Sequence, residues 1–107
     1  MRGDQRIAVV IPALDEAGSI AGVVRSQPDW VDLVVVVDNG SKDDTAARAH
    51  AAGATVIGET RRGYGAACLA GLRAVTDYPI VVFTDGDGSN DPGDMAGLVD
   101  PLLADEA

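Results

Sequence analysis

The chain has 107 residues, enough for one α/β domain with a core of modest size. Hydrophobic residues make up 47% and aromatic residues only 4%, so the core must be Val, Ile, Leu and many Ala in close contact. With 17 acidic residues against 8 basic ones and a net charge of -9, the surface repels nucleic acid and anionic membranes, which argues against either as a partner.

Residues 6–11 carry an apolar run without alternation that ends at Pro12, the pattern of a strand buried on both faces. Asp15 is placed to cap a helix whose apolar positions are Ala17, Ile20, Ala21 and Val24, and Gln27-Pro28-Asp29 ends it. Residues 31–37 read as a second buried strand that stops at Asp38-Asn39-Gly40-Ser41. Asp43, Asp44 and Thr45 suit a helix start, and Gly53 suits the left-handed position after its end. Residues 54–57 form a short third strand and 61–65 a loop, followed by a helix with Cys68, Leu69, Leu72 and Val75 as its apolar positions. Residues 80–84 are the fourth strand, and Pro92 opens a last helix that Pro101 kinks or ends.

This alternation, β-α-β-α-β-α-β-α, predicts a Rossmann-like parallel sheet between two layers of helices, in one domain over residues 1–107. A sheet of this size leaves an edge uncovered, which favours self-association into a homo-oligomer. Cys68 is the one cysteine, so no internal disulfide forms, and a reducing, cytoplasmic setting is expected. The polar start and the strand-length apolar runs predict neither signal peptide nor membrane span.

Ligands of open parallel sheets bind beyond the carboxyl ends of the strands. Asp85-Gly86-Asp87 sits there, behind the fourth strand. Two carboxylates one residue apart repel each other and call for a divalent cation. Asp15 and Asp43 read more simply as helix caps, Asp38 as either a turn residue or a ligand contact, and Arg61 and Arg62 as a solvated pair. Cys68 reads as a small core residue, His50 as surface, and Trp30 as closing the first helix against the second strand. Pro12-Ala13-Leu14 after the first strand argues against a dinucleotide fingerprint. Lys42, the only lysine, lies outside any phosphate-loop frame. Asn90 and Ala96 argue against an EF-hand starting at Asp85.

Four motifs in order carry a resemblance over nearly the whole chain: Ile11-Pro12-Ala13-Leu14-Asp15-Glu16, Val37-Asp38-Asn39-Gly40-Ser41, Arg62-Gly63-Tyr64-Gly65 and Thr84-Asp85-Gly86-Asp87. Together they resemble family 2 glycosyltransferases of the GT-A fold, and most closely the polyprenyl-phosphate, dolichol-phosphate mannose synthase-like branch. The resemblance implies that Pro12, Ala13, Leu14 and Glu16 line the base and ribose of a nucleotide and that Asp38 accepts a hydrogen bond from the base. It implies that Gly63 and Gly65 let a helix start approach the diphosphate, with Arg61 or Arg62 adding positive charge. Asp85 would reach the ribose or the metal, and Asp87 would bind Mg2+ or Mn2+. The implied reaction is inverting transfer of a hexose from a UDP- or GDP-sugar, with a polyprenyl phosphate as acceptor and the full-length parent at the inner face of the membrane.

The chain departs from that pattern at three places. Asp15 stands where asparagine is usual and Asn39 where a second aspartate is common, and Tyr64 replaces a frequent lysine. The acceptor part and its downstream general base do not follow, so the chain reads as the donor-binding N-terminal part, poorly active or inert alone. Two other readings compete with it: a non-catalytic nucleotide-binding or self-associating fragment, and a haloacid-dehalogenase-like phosphatase using Asp85 as nucleophile.

Overall fold

The computed structural model describes residues 5–86. Asp87 and the helix expected from Pro92 onward lie outside the described residues. The elements alternate as β1 (Ile7–Ala13), α1 (Ile20–Arg25), β2 (Leu33–Asp38), α2 (Thr45–Ala51), β3 (Thr55–Gly58), α3 (Tyr64–Ala74) and β4 (Ile80–Phe83). The strands form one parallel sheet in the order β3-β2-β1-β4. The expected Rossmann-like α/β architecture is therefore present.

β1 is the central strand, and all seven of its residues are buried, as its lack of alternation predicts. Its side chains divide between two layers. Ile7, Val9, Ile11 and Ala13 pack with Ile20, Val23 and Val24 of α1 and Ala49 of α2. Ala8 and Val10 face the opposite way, toward Ala67 of α3 with Val35, Val37 and Val81. Trp30 packs against the first of these clusters, closing α1 against the sheet as expected.

Two sequence expectations are corrected here. Pro12 does not end the first strand, which continues to Ala13 with Pro12 paired to Val37. The hydrogen-bond pattern explains the tolerance. The Val10 carbonyl accepts from Thr84 on the β4 side, and the Ala13 carbonyl accepts from Asn39 on the β2 side. Strand alternation then turns the Pro12 nitrogen toward β4, whose pairing with β1 stops at Phe83 opposite Val10, so no ladder bond is lost.

The second correction concerns α3. Its buried residues are Ala67 and Gly71, while Leu69 is exposed and Cys68 and Leu72 are only half-buried; Val75, just past its end, is fully buried as expected, with Leu72 packed against the same cluster. A Cβ built on Gly71 would lie 2.3 Å from Cγ1 of Val10. The helix sits so close to β1 that only small residues fit along the contact line, and the larger apolar side chains move to its flanks.

Candidate functional site

β1 is the point where the winding of the sheet reverses. Successive strands β1, β2 and β3 step one way, and β4 returns to the other side of β1. A crevice opens beyond the carboxyl ends at such a reversal. The end of β1 pairs Ala13 with Asp38 on one side, and β4 leads into Thr84, Asp85 and Gly86 on the other.

The loop after β1 is bonded to the loop after β2. The Asp15 N–H donates to Ser41 Oγ at 2.9 Å, and Asp15 Oδ1 accepts the Lys42 N–H at 2.7 Å. Asp15 is therefore not the helix cap expected from sequence. It adopts φ 53°, a left-handed conformation that aspartate tolerates better than most residues, and α1 begins only after Ser19. Asp43 accepts the Ala17 N–H at 3.2 Å and the N–H of Thr45, the first residue of α2, at 3.0 Å. The N-cap position of α2 is Asp44, so Asp43 is not the cap expected from sequence; from one residue earlier it binds the first N–H of the helix and ties the two loops at once. The hydroxyl of Thr45 is the largest cause holding the Asp43 carboxyl below its ordinary value, ahead of the opposing effect of burial.

Thr45 is fully buried, an uncommon place for a hydroxyl. Its Oγ1 accepts the Glu16 N–H at 2.9 Å and donates to Asp43 Oδ1. Glu16 thus has its backbone fixed by a side chain of α2. Asp38 accepts the Ser41 N–H through Oδ1 at 3.0 Å, closing the turn after β2. It remains half-buried at the strand end.

The loop between β3 and α3 is held by Asn39. Its amide nitrogen donates to the carbonyls of Glu59 at 3.0 Å and Arg61 at 2.7 Å. Its amide oxygen accepts the Gly63 N–H at 3.1 Å. Gly63 has φ 114° immediately before α3, which requires glycine there. A Cβ on Gly65 would meet nothing within 4 Å, so the first turn of α3 is open to an approaching group. Of the two expected cationic residues, Arg61 is committed to Glu59 at 3.0 Å, and Arg62 is exposed.

Gly86 passes close to the end of β1. A Cβ there would lie 3.3 Å from both the Ala13 Cβ and the Pro12 carbonyl oxygen, and 3.4 Å from Glu16 Cγ. The Ser19 hydroxyl donates to the Gly86 carbonyl at 2.8 Å, joining the start of α1 to the loop after β4. Asp85 is half-buried within electrostatic reach of Tyr64 and Cys68. Burial raises both of those groups above their ordinary values, and the nearby negative charge of Asp85 adds to the effect. A carboxylate at a strand end is the hard oxygen donor that Mg2+ and Mn2+ take. Asp85 fits that role, and Asp87 lies outside the described residues. Among the described residues no group of three or more His, Cys, Asp or Glu comes together as a ready-made cage.

The structure thus brings Pro12, Ala13, Leu14, Glu16, Asp38, Gly63, Gly65 and Asp85 to the same end of the sheet. Leu14 is exposed at the rim, whereas Pro12 and Ala13 are buried within β1. Ser19 carries no signal in the sequence, Asn39 shows there only as a departure from the family pattern and Thr45 only as part of a helix start, yet all three hold the loops together. Among the described residues no helix is long and apolar enough to cross a membrane.

The sequence profile described as Glycosyl transferase family 2 matches residues 8–107. An uncharacterized glycosyltransferase of Mycobacterium tuberculosis (strain ATCC 25618 / H37Rv) is 46% identical over 102 residues, covering 95% of this chain and 45% of the relative. Glucosyl-3-phosphoglycerate synthase of the same strain is 39% identical over 118 residues, covering 98% of this chain and 36% of the synthase. A crystal structure of the M. tuberculosis synthase in complex with UDP superposes with a TM-score of 0.79 at 40% identity, covering 94% of this chain and 40% of that one. Another, with Mn2+, UDP and glucosyl-3-phosphoglycerate, superposes with a TM-score of 0.71 at 39% identity, over 78% of this chain and 34% of that one. The chain spans less than half the length of these relatives.

Proposed function

This chain belongs to glycosyl transferase family 2, and on that premise we propose that it is the donor-binding part of an inverting, metal-dependent glycosyltransferase that uses a UDP-sugar. The observation that carries the reading is the placement of Asp38 and Asp85 on either side of the end of β1, at the reversal of the sheet. The solved structures of the related synthase contain UDP with Mn2+ or Mg2+, which supports uracil over guanine and a divalent cation. UDP-glucose in another of those structures supports glucose as the hexose.

In this reading Pro12, Ala13, Leu14 and Glu16 form the floor and rim for uracil and ribose, and Asp38 accepts from the base N–H. Gly63 and Gly65 let the diphosphate reach the first turn of α3, where unpaired backbone N–H groups and the helix dipole favour an anion. Arg61 and Arg62 flank that turn. Asp85 and Asp87 would hold the cation. When bound, the cation neutralises charge on the departing nucleoside diphosphate. Without it, Asp38 and Asp85 would repel a diphosphate placed beside them. The acceptor is proposed to carry a phosphate. The phosphoglyceric acid found with the related synthase and the polyprenyl phosphate of the dolichol-type branch share that group.

Calorimetric titration with UDP and with GDP, each with and without Mn2+, tests the reading. Metal-dependent binding of UDP in preference to GDP, abolished by Asp85→Ala, is the expected result. A folded chain that binds neither nucleotide under any of these conditions would refute donor binding by this part of the molecule.

A further inference from the structure

The side chain of Asn39 spans two of the loops at the site, and nothing in the proposed donor contacts uses it. Its backbone N–H donates to the Ala13 carbonyl at 2.9 Å, fixing it against the end of β1. Its side-chain amide meets two carbonyls with its nitrogen and one N–H with its oxygen, all in the segment between β3 and α3. The preceding residue, Asp38, accepts the Glu59 N–H through its own carbonyl at 3.0 Å. Residues 38 and 39 therefore hold both the strand exit at Glu59 and the start of α3 at Gly63.

We infer that Asn39 is a positioning residue that sets the distance between the subsite for the base and the subsite for the diphosphate, by clamping the Gly63 turn to the end of β2. The inference rests on the proposed donor-binding role and deepens it. The aspartate common at this position in the family pattern would keep one of these three bonds, so the full clamp is particular to the amide of this chain. A carboxylate of the same shape accepts from Gly63 but cannot donate to Glu59 and Arg61, and its charge faces two carbonyl oxygens. Alanine loses all three bonds and leaves those partners to water. Asn39 lies on the short path from Asp38 to Gly63, so a lost clamp alters the spacing between subsites without removing either. The effect belongs to ligands that must touch both ends, and not to those that touch only one.

The test uses the chain with Asn39→Asp and Asn39→Ala, titrated with uridine and with UDP in the presence of Mn2+. Thermal melting establishes that each variant folds, and amide exchange follows the Gly63 N–H. The expected result is a loss of UDP affinity of roughly tenfold or more, against a change of less than about twofold for uridine, with faster exchange at Gly63. Equal losses for uridine and UDP would overturn the inference by showing a general effect on the fold. Unchanged UDP affinity in both variants would overturn it as well. If the unsubstituted chain binds no UDP, the donor-binding reading fails. Gly63 exchange then decides the clamp alone: acceleration in both variants upholds it, and unchanged exchange removes it.

Discussion

Gly71 of α3 and Val10 of β1 touch so closely that a single added methyl group would overlap the valine side chain, at 2.3 Å from its Cγ1. Both residues are buried, and the contact sets how near the helix lies to the central strand. Gly71→Ala is expected to destabilise the fold by about 1–3 kcal/mol despite alanine's better helix propensity. Urea denaturation of the single variant, and of Gly71→Ala combined with Val10→Ala, checks this. The double variant should recover part of the loss, because the two substitutions share one contact.

Thr45→Val keeps the shape of a fully buried side chain and removes its hydroxyl. The Glu16 N–H then loses its acceptor, and Asp43 loses a donor. A cost of about 1–3 kcal/mol in unfolding free energy is expected. UDP affinity should fall as well, since the backbone of Glu16 is no longer fixed. Chemical denaturation and calorimetry read the two effects separately.

The acid limb of stability should depend on Asp43. Its carboxyl is held below the ordinary 3.8, first by the Thr45 hydroxyl and further by the N–H groups of Thr45 and Ala17. A depressed folded-state value means that stability is fully present above the ordinary value and is lost as pH falls through the folded one. Glu59, lowered chiefly by Arg61, contributes in the same direction from its ordinary 4.5. Urea midpoints taken in steps below about pH 5 should fall for the unsubstituted chain and fall less steeply for Asp43→Asn.

The two neighbouring arginines should separate in function. Arg61 is paired with Glu59 at 3.0 Å, while Arg62 is exposed beside the start of α3. Arg62→Ala is expected to weaken Mn2+-dependent UDP binding by roughly fivefold, about 1 kcal/mol, and Arg61→Ala by less. Raising the salt concentration should shrink the difference. Equal effects from the two substitutions would show that the pair with Glu59 opens when nucleotide arrives.

Much of this architecture is legible in the sequence because burial leaves a plain mark there. The unbroken apolar runs at 7–11 and 33–37 identify strands covered on both faces, and Gly53, found at φ 107°, marks the end of α2 as expected. The carboxylate loops fall at one end of the sheet because the alternation of elements dictates a parallel arrangement. What stays hidden depends on which distant groups meet. Asp15 has the local look of a cap, yet its partners are Ser41 and Lys42. The bonds of Asn39 to Gly63 and of Ser19 to Gly86 join residues 24 and 67 positions apart. The contact face of α3 is legible at Leu72 and Val75 but not at its centre, where hydrophobicity favours Leu69 and the short distance to Val10 admits Ala67 and Gly71. Asp87, the second carboxylate of the motif, lies outside the described residues.

The position of β1 between β2 and β4 also bears on how the molecule is assembled as it is made. β1 takes its second neighbour from near the end of the described residues, long after β1 itself is made, with Ile7 beside Ile80 and Val10 beside Phe83. Until that neighbour emerges, one edge of the most buried strand has no parallel partner, and Val9 and Val82 cannot share a core. A nascent chain stopped before Ile80 carries α1, α2, α3 and three strands with that apolar edge open, a state prone to association with other chains. Such late closure of a long-range parallel pair belongs to slow folding. Chains released by the ribosome just short of β4 should aggregate, and chains released just after it should not.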